Sequence, residues 1–384
     1  MITFRPGSQI YRLITLLSVA GEYPVQSLHL LGNVRMYKEL VMRLTIRQTI
    51  RSPEHDCHIT PARVLSVSGR GRSKTIRLYR GALPILKWVG ADEYYMNRFQ
   101  AHKFSGDINH KERNHRVAEA LAMFMGAGYE FREYKLPYLQ NAEIRHLNFV
   151  CPSFYTGQYI KQIGIAEINK TMFTRMVGAV FAGNVCYAVY NTRNAVMKWC
   201  GQGECKARSD LNEVVRLNTE INYVDSAILF GATDNVALTT LKETESNHRL
   251  ELRFDGIYRY VYFVPLNEVG MRQLRLFTVP NWKELLLDML FETDQRSYNL
   301  GSFEYDACVD GVYVLSHLDG DIARLRRFKD GISLTKARCE VLCFEDQVDF
   351  LKSYIGNLVQ LRVLDRSMVE VELNLRRRAV FEED

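Results

Sequence analysis

The chain has 384 residues, 47% of them hydrophobic and 24% charged, with a formal net charge of +6. This length exceeds the size at which one hydrophobic core stops growing, so we expect two or three domains. With only nine prolines and no low-complexity stretch, the composition excludes a long disordered arm.

Positive charge is concentrated at the N-terminus. The first 80 residues contain 13 Lys and Arg residues against four acidic residues, which gives a net charge of +9. Because the whole chain carries +6, residues 81–384 sum to −3. A cationic module followed by a mildly acidic remainder predicts a polyanionic partner, and duplex DNA is the partner that we expect.

The apolar run near the N-terminus, residues 10–20, is too short to cross a bilayer, so we expect neither a membrane span nor an export signal. The eight cysteines show no paired spacing, which in a chain of this length indicates reduced thiols. The sequence therefore predicts a cytoplasmic protein.

Three helices are predicted in the basic module. Ser8 is a good N-cap for a first helix whose apolar residues follow the 3.6-residue period, and Gly21 suits its C-terminal turn. Residues 25–31 can form a short second helix. Asn33 then caps a third helix that reaches about Ile46.

The third helix should have one buried and one cationic face, because its apolar residues recur at i, i+3, i+4 and i+7. Two strands follow, near residues 63–67 and 75–79, joined by a loop that contains Gly69 and Gly71. Three helices and a basic-tipped hairpin are the plan of a winged helix. We expect DNA contacts from Arg35, Lys38, Arg43 and Arg47 around the third helix and from Arg70, Arg72 and Lys74 in the loop. A winged helix used for protein docking would instead carry an apolar patch on the third helix.

The remainder of the chain alternates strands and helices. A helix over residues 111–127, a strand over 129–136 and a hairpin over 176–190 are followed by strand–helix pairs, which indicate an α/β arrangement. We expect a winged-helix domain over residues 1–105, an α/β domain over 106–300 and a C-terminal α/β extension over 301–384. The predicted fold class is therefore α+β with α/β character.

Several segments resemble the replication-relaxation family. They are the winged-helix start, the His115-Arg116-x-Ala118-Glu119 helix that ends at Gly128, and the hairpin region from Arg175 to Trp199. That family is similar to MobC-type accessory proteins of plasmids and conjugative elements of Gram-positive bacteria. The resemblance covers roughly residues 8–300.

The resemblance implies a DNA-binding partner of a relaxase, with a second domain related to restriction endonucleases. Active members of that fold need acidic residues on a strand hairpin to bind the metal that activates water. The matching positions in this chain are Val177 and residues 190–192, which are not acidic. The resemblance thus implies a degenerate domain that does not cleave DNA.

The sequence also contains residues that could form a metal-dependent nuclease site or a zinc site. Glu133 and Lys135 have the acid-x-Lys spacing of metal-dependent nucleases, and Glu119 supplies a second carboxylate on the preceding helix. His55, Cys57 and His58 are potential zinc ligands, but no second ligand pair follows them. We therefore expect no catalytic residues, bound metal or cofactor, and keep Glu119, Glu133 and Lys135 as the candidates for a nuclease.

The function that we expect is binding of duplex DNA at an origin of transfer or replication, together with recruitment of a relaxase. The alternatives are a metal-dependent nuclease and a transcriptional repressor or replication initiator with the same DNA-binding module. A homodimer would suit a palindromic DNA site, although no heptad pattern indicates one.

Overall fold

The computed structural model describes residues 1–99, 108–141, 149–163, 175–197, 199, 202–246, 253–297, 303–335 and 337–373. These residues have mixed α and β structure with four sheets, which confirms the predicted mixture of helices and strands. The chain divides into two compact units, Met1–Pro137 and Tyr138–Ala379.

The helices of the first unit begin and end largely where the sequence predicts. Ser8 caps the first helix by accepting a hydrogen bond from the backbone N–H of Tyr11, and Gly21 ends it with a φ of +71°. Asn33 caps the third by accepting from the N–H groups of Arg35 and Met36. The described helices are α1 (Gln9–Ala20), a 3₁₀-helix (Val25–Leu30), α2 (Val34–Leu44), α3 (Leu83–Trp88), α4 (Asp92–Phe99) and α5 (Ile108–Ala127).

Two three-stranded sheets complete the first unit. The strands are β1 (Ile2–Thr3), β2 (Glu22–Pro24), β3 (Ile50–Ser52), β4 (Cys57–Ile59), β5 (Leu65–Ser68) and β6 (Thr75–Leu78). One sheet has the order β2-β6-β5 and is antiparallel throughout, so the predicted hairpin of β5 and β6 is confirmed. The second sheet, β1-β3-β4, was not predicted, because strands of two or three residues are too short to show a period.

The first unit extends beyond the boundary that the sequence predicts at residue 105. Helix α5, which we expected to open the second domain, packs against α1 and β2. Buried polar contacts fix it there: Ser27 donates to Glu119 at 2.5 Å, and Thr75 Oγ1 lies 3.1 Å from His115 Nε2. Apolar periodicity identified the helix but could not show which unit buries it.

The strand predicted over residues 129–136 is wrong. The backbone N–H groups of Lys135 and Leu136 both donate to the carbonyl of Arg132, which closes a turn. The aromatic ring of Tyr129 packs on Phe124 of α5. The ring of Tyr134 packs on Tyr94 of α4, so the alternation that favours a strand arises from separate aromatic contacts with two helices.

The second unit contains a five-stranded sheet in the order β11-β10-β9-β8-β7, in which β8 is antiparallel to both neighbours and β9, β10 and β11 are parallel. A four-stranded sheet has the order β12-β13-β14-β15, so the segment predicted as a C-terminal extension lies in this unit.

The strands are β7 (Phe149–Thr156), β8 (Met176–Gly183), β9 (Val185–Arg193), β10 (Ser226–Gly231), β11 (Tyr260–Pro265), β12 (Ala307–Val309), β13 (Val312–Ser316), β14 (Cys339–Phe344) and β15 (Gln360–Leu364). The helices are α6 (Gly157–Ile163), α7 (Gln202–Asn218), α8 (Asp234–Ser246), α9 (Phe254–Ile257), α10 (Glu268–Leu276), α11 (Trp282–Leu290), α12 (Ile322–Thr335), α13 (Val348–Ile355) and α14 (Arg366–Glu372).

Gly178 allows β7 and β8 to approach closely. A Cβ atom at this position would lie 2.2 Å from the backbone oxygen of Tyr155, so the strand backbone would have to shift. We predict that Gly178→Ala lowers the free energy of unfolding by roughly 1–3 kcal/mol, as measured by urea denaturation. The control is Gly203→Ala in α7, where no atom lies within 4 Å; a similar loss in both variants would contradict this account.

Candidate nucleic-acid interface

The outward side of α2 carries a cationic stripe that we call the α2 face, formed by Arg35, Lys38 and Met42. The spacing i, i+3, i+7 puts these residues on one side of the helix, and all three are exposed. The opposite side, with Tyr37, Leu40, Val41 and Leu44, is buried as predicted. Glu39 is also exposed, so the net charge of the helix remains positive but is reduced.

The loop between β5 and β6, residues 68–74, which we call the wing, carries three exposed cations, Arg70, Arg72 and Lys74. The N–H of Arg70 donates to the hydroxyl of Ser73, and this hydroxyl donates to the carbonyl of Arg70. A Cβ atom on Gly69 would lie 2.5 Å from the Ser73 carbonyl oxygen, and φ is +87° there. The wing therefore has a defined backbone that needs glycine at this position.

Both elements contact the same short helix. The 3₁₀-helix Val25–Leu30 packs against α2, and it also contacts the turn Gly71–Ser73 in the wing. The backbone N–H of Val25 donates to the carbonyl of Lys74 at 2.9 Å. The fold thus anchors the base of the wing beside the helix that precedes α2 in the chain.

Lys111 contacts the wing, which no local sequence pattern indicated. Its ammonium group donates to the carbonyl of Ser73 at 3.1 Å. Lys111 lies in the first turns of α5, which the sequence assigned to another domain. No local pattern could have identified this cation, because only the packing of α5 brings it to the wing.

Most of the cations that we predict to contact DNA form no ion pair with Asp or Glu among the described residues. Arg43 is half-buried and donates to the carbonyl oxygen of Met1 at 3.4 Å. The others are exposed, and the described part of the chain holds no ion pair to any of them: Arg35, Lys38, Arg47, Arg70, Arg72 and Lys74. By contrast, Arg77 is paired with Glu22 at 2.7 Å, so that cation is used inside the unit.

The three nuclease candidates have separate environments. Glu119 is buried and accepts the hydrogen bond from Ser27, while Glu133 is buried and bonded to both Tyr94 and Arg98. Lys135 is exposed. Burial and the adjacent Glu133 carboxylate raise the pKa of Tyr94, so this phenol stays protonated and donates. The contacts of both carboxylates are ones that stabilise the fold of the first unit.

We predict that Glu133→Ala lowers the free energy of unfolding by about 3 kcal/mol, because it leaves Arg98 and Tyr94 without their buried acceptor. Chemical denaturation of the variant measures this loss. Lys135→Ala is the control and should be neutral within about 0.5 kcal/mol, because its side chain is exposed. Equal stability of Glu133→Ala and the parent protein would contradict a structural role for this carboxylate.

The histidine and cysteine cluster is spread over a hairpin. His55 Nδ1 lies 2.7 Å from the Ser52 hydroxyl, and its ring stacks on Trp88. Cys57 and His58 lie on β4. Among the residues that the structure describes, no group of three His, Cys, Asp or Glu side chains could hold a metal ion.

The second unit contains a buried charged cluster centred on Arg324. Its guanidinium contacts Asp306 at 2.5 Å and Glu304 at 3.1 Å, and all three residues are buried. Asp321 accepts from the backbone N–H of Val261 at 3.1 Å, so the start of α12 is joined to β11. Burial and the neighbouring Asp319 raise the pKa of Asp321. The sequence did not reveal this cluster, because its members are separated along the chain.

His317 belongs to the same region and is buried beside Phe350. Burial, with a smaller contribution from Arg324, lowers the pKa of His317 to about 3. The unfolded chain therefore binds a proton at this histidine more readily than the folded chain between about pH 6.5 and pH 3. Above about pH 6.5 the buried histidine is neutral in both states and does not oppose folding. As the pH falls from about 6.5 to 3, protonation of the unfolded chain lowers the free energy of unfolding.

We predict that His317→Gln removes this acid sensitivity. Relative to the parent protein, the variant should gain up to about 1.4 kcal/mol of unfolding free energy per pH unit below about pH 6.5. The variant must be compared with the parent protein, because the raised pKa of Asp321 increases the free energy of unfolding as the pH falls and so opposes the effect of His317. Urea denaturation at several pH values measures the difference, and His58→Gln, at an exposed histidine, is the control. Parallel curves for parent and His317→Gln would refute the assignment.

Comparison with known proteins gives no relative for this arrangement: no family model, no curated protein and no solved structure matches the chain. Of the helices within the described ranges, none is both long and apolar enough to cross a membrane.

Proposed function

We propose that the first unit is a winged-helix module that binds duplex DNA. The observation that carries this proposal is the order of its elements. Three helices are followed by the short β3–β4 hairpin and then by the β5–β6 hairpin, whose second strand, β6, pairs with β2 between the first and second helices. In a winged helix the third helix enters the major groove and the hairpin loop reaches the adjacent backbone.

Electrostatics support the same partner. The exposed cations of α2 and the wing lie in a segment of net charge +9, and their side chains are not neutralised by ion pairs in the described structure. Phosphates of duplex DNA supply negative charge at regular spacing, and each contact with Lys or Arg releases counterions. The α2 face and the wing together would therefore fix the module on the DNA backbone.

The geometry of α2 suits the major groove, which is about 12 Å wide and admits one α-helix. The cap at Asn33 leaves Arg35 and Lys38 in the first two turns, from which helices of this type contact base edges. A guanidinium can bond both acceptors of guanine, so Arg35 is the residue that we assign to guanine recognition.

For the second unit we propose a degenerate restriction-endonuclease-like domain. The hairpin of β8 and β9 occurs where the resemblance requires it, and neither strand contains Asp or Glu. Val177 and residues 190–192 are buried and lack a carboxylate. This composition supports a domain that does not cleave DNA at that hairpin.

Taken together, these features support an accessory protein that binds DNA at an origin of transfer or replication and helps to position a relaxase. A MobC-like role, a cytoplasmic location and a homodimer on a palindromic site belong to this proposal. Selection of bound fragments from the DNA of the host element, with the purified protein, would identify the site.

The test of DNA binding is charge reversal in the wing. We predict that Arg72→Glu weakens binding to the selected duplex at least tenfold, because it removes a phosphate contact and adds a repulsive charge. In a second variant, Arg72→Gln, the slope of log K against log salt should fall by about 0.9, the value for one phosphate contact. Fluorescence anisotropy between about 50 and 200 mM salt measures both quantities.

The matched control is Arg362→Glu, which reverses an exposed arginine of β15 in the second unit and changes the net charge equally. Its affinity should remain within about threefold of the parent value, because Arg362 belongs to the unit to which we assign no DNA contact. If the wing variants retain full affinity and an unchanged salt slope, the wing does not contact DNA.

A further inference from the structure

The α2 face combines cations with a large exposed apolar side chain. Met42 is 68% exposed and lies on the same stripe as Arg35 and Lys38. Single exposed apolar residues are common on protein surfaces. Met42 differs in its position, because it lies in the last turn of α2 on a stripe whose other two side chains, Arg35 and Lys38, are charged.

A methionine suits an apolar contact at this position. Its side chain is unbranched and polarizable, so it can adapt to an apolar surface presented along the helix. The other exposed methionine of α2, Met36, lies on a different side of the helix, where the side-chain amide of Gln9 in α1 lies 3.6 Å from its sulfur.

The distances along α2 match the spacing of bases. Arg35 and Met42 are seven residues apart, which corresponds to roughly 10 Å along the helix axis. Three base-pair steps of B-DNA span about the same distance. If Arg35 contacts a guanine, Met42 is carried to a base pair about three steps away.

We propose that Met42 recognises thymine through its 5-methyl group in the major groove. This inference rests on the proposed DNA-binding function and adds specificity to it. The thymine methyl group is the apolar feature that distinguishes base pairs in this groove. The flanking Arg35 and Lys38 favour a polyanion over an apolar protein partner, because docking a protein on this face would desolvate both cations.

The experiment uses the full chain and two duplexes of the same selected sequence, one with thymidine and one with deoxyuridine at every thymidine position. Deoxyuridine lacks only the methyl group, so hydrogen bonding and phosphate charge are unchanged. We expect the thymidine duplex to bind about fourfold more tightly for each methyl group that is contacted. Met42→Gln should reduce this preference, while the salt slope stays the same.

Met96→Gln is the matched control, because Met96 is an exposed methionine of α4, outside the α2 face. It should retain the full preference for thymidine. If the parent protein binds both duplexes equally with normal salt dependence, the inference is overturned while DNA binding stands, and Met42 would then be open to a protein partner. If no duplex is bound even at about 50 mM salt, the proposed function fails, and the inference fails with it.

Discussion

The first unit depends on the burial of α5 with its polar side chains satisfied. Glu119 and His115 point into the unit and bond to Ser27 and Thr75, which lie on the second helix and on β6. A buried carboxylate or imidazole without a partner would destabilise the fold, so these bonds restrict α5 to one position. Because the partner residues lie on the elements that flank the wing, the same contacts hold the base of the wing in place.

The exposed cations of α2 and the wing follow from an excess of Lys and Arg in the sequence. Glu22, Glu130 and Glu133 are paired with Arg77, Arg132 and Arg98. Each pair removes one positive and one negative charge, so the excess of cations remains. The second unit uses its charges differently, since Arg324 is buried with Glu304 and Asp306.

Local sequence signals predicted an element correctly where residues within that element determine its ends or its turn. The caps at Ser8 and Asn33 and the turn at Gly21 gave α1 and α2 with nearly correct ends. The hairpin of β8 and β9 was also predicted, because Gly183, with a φ of +56°, supplies the turn conformation. The same method failed over residues 129–136, where aromatic contacts with α4 and α5 replace strand pairing. It also missed the short sheet of β1, β3 and β4.

The sequence by itself determined the concentration of charge in the first 80 residues, the cationic side of α2 and the glycine-containing wing. These features follow from composition and from the period of one helix or hairpin, which neighbours do not alter. Only the tertiary structure decided that α5 belongs to the first unit, that Lys111 joins the wing and that Glu133 is bonded to Arg98. Each of these depends on contacts between residues far apart in the chain, and long-range packing leaves no periodic trace in the sequence.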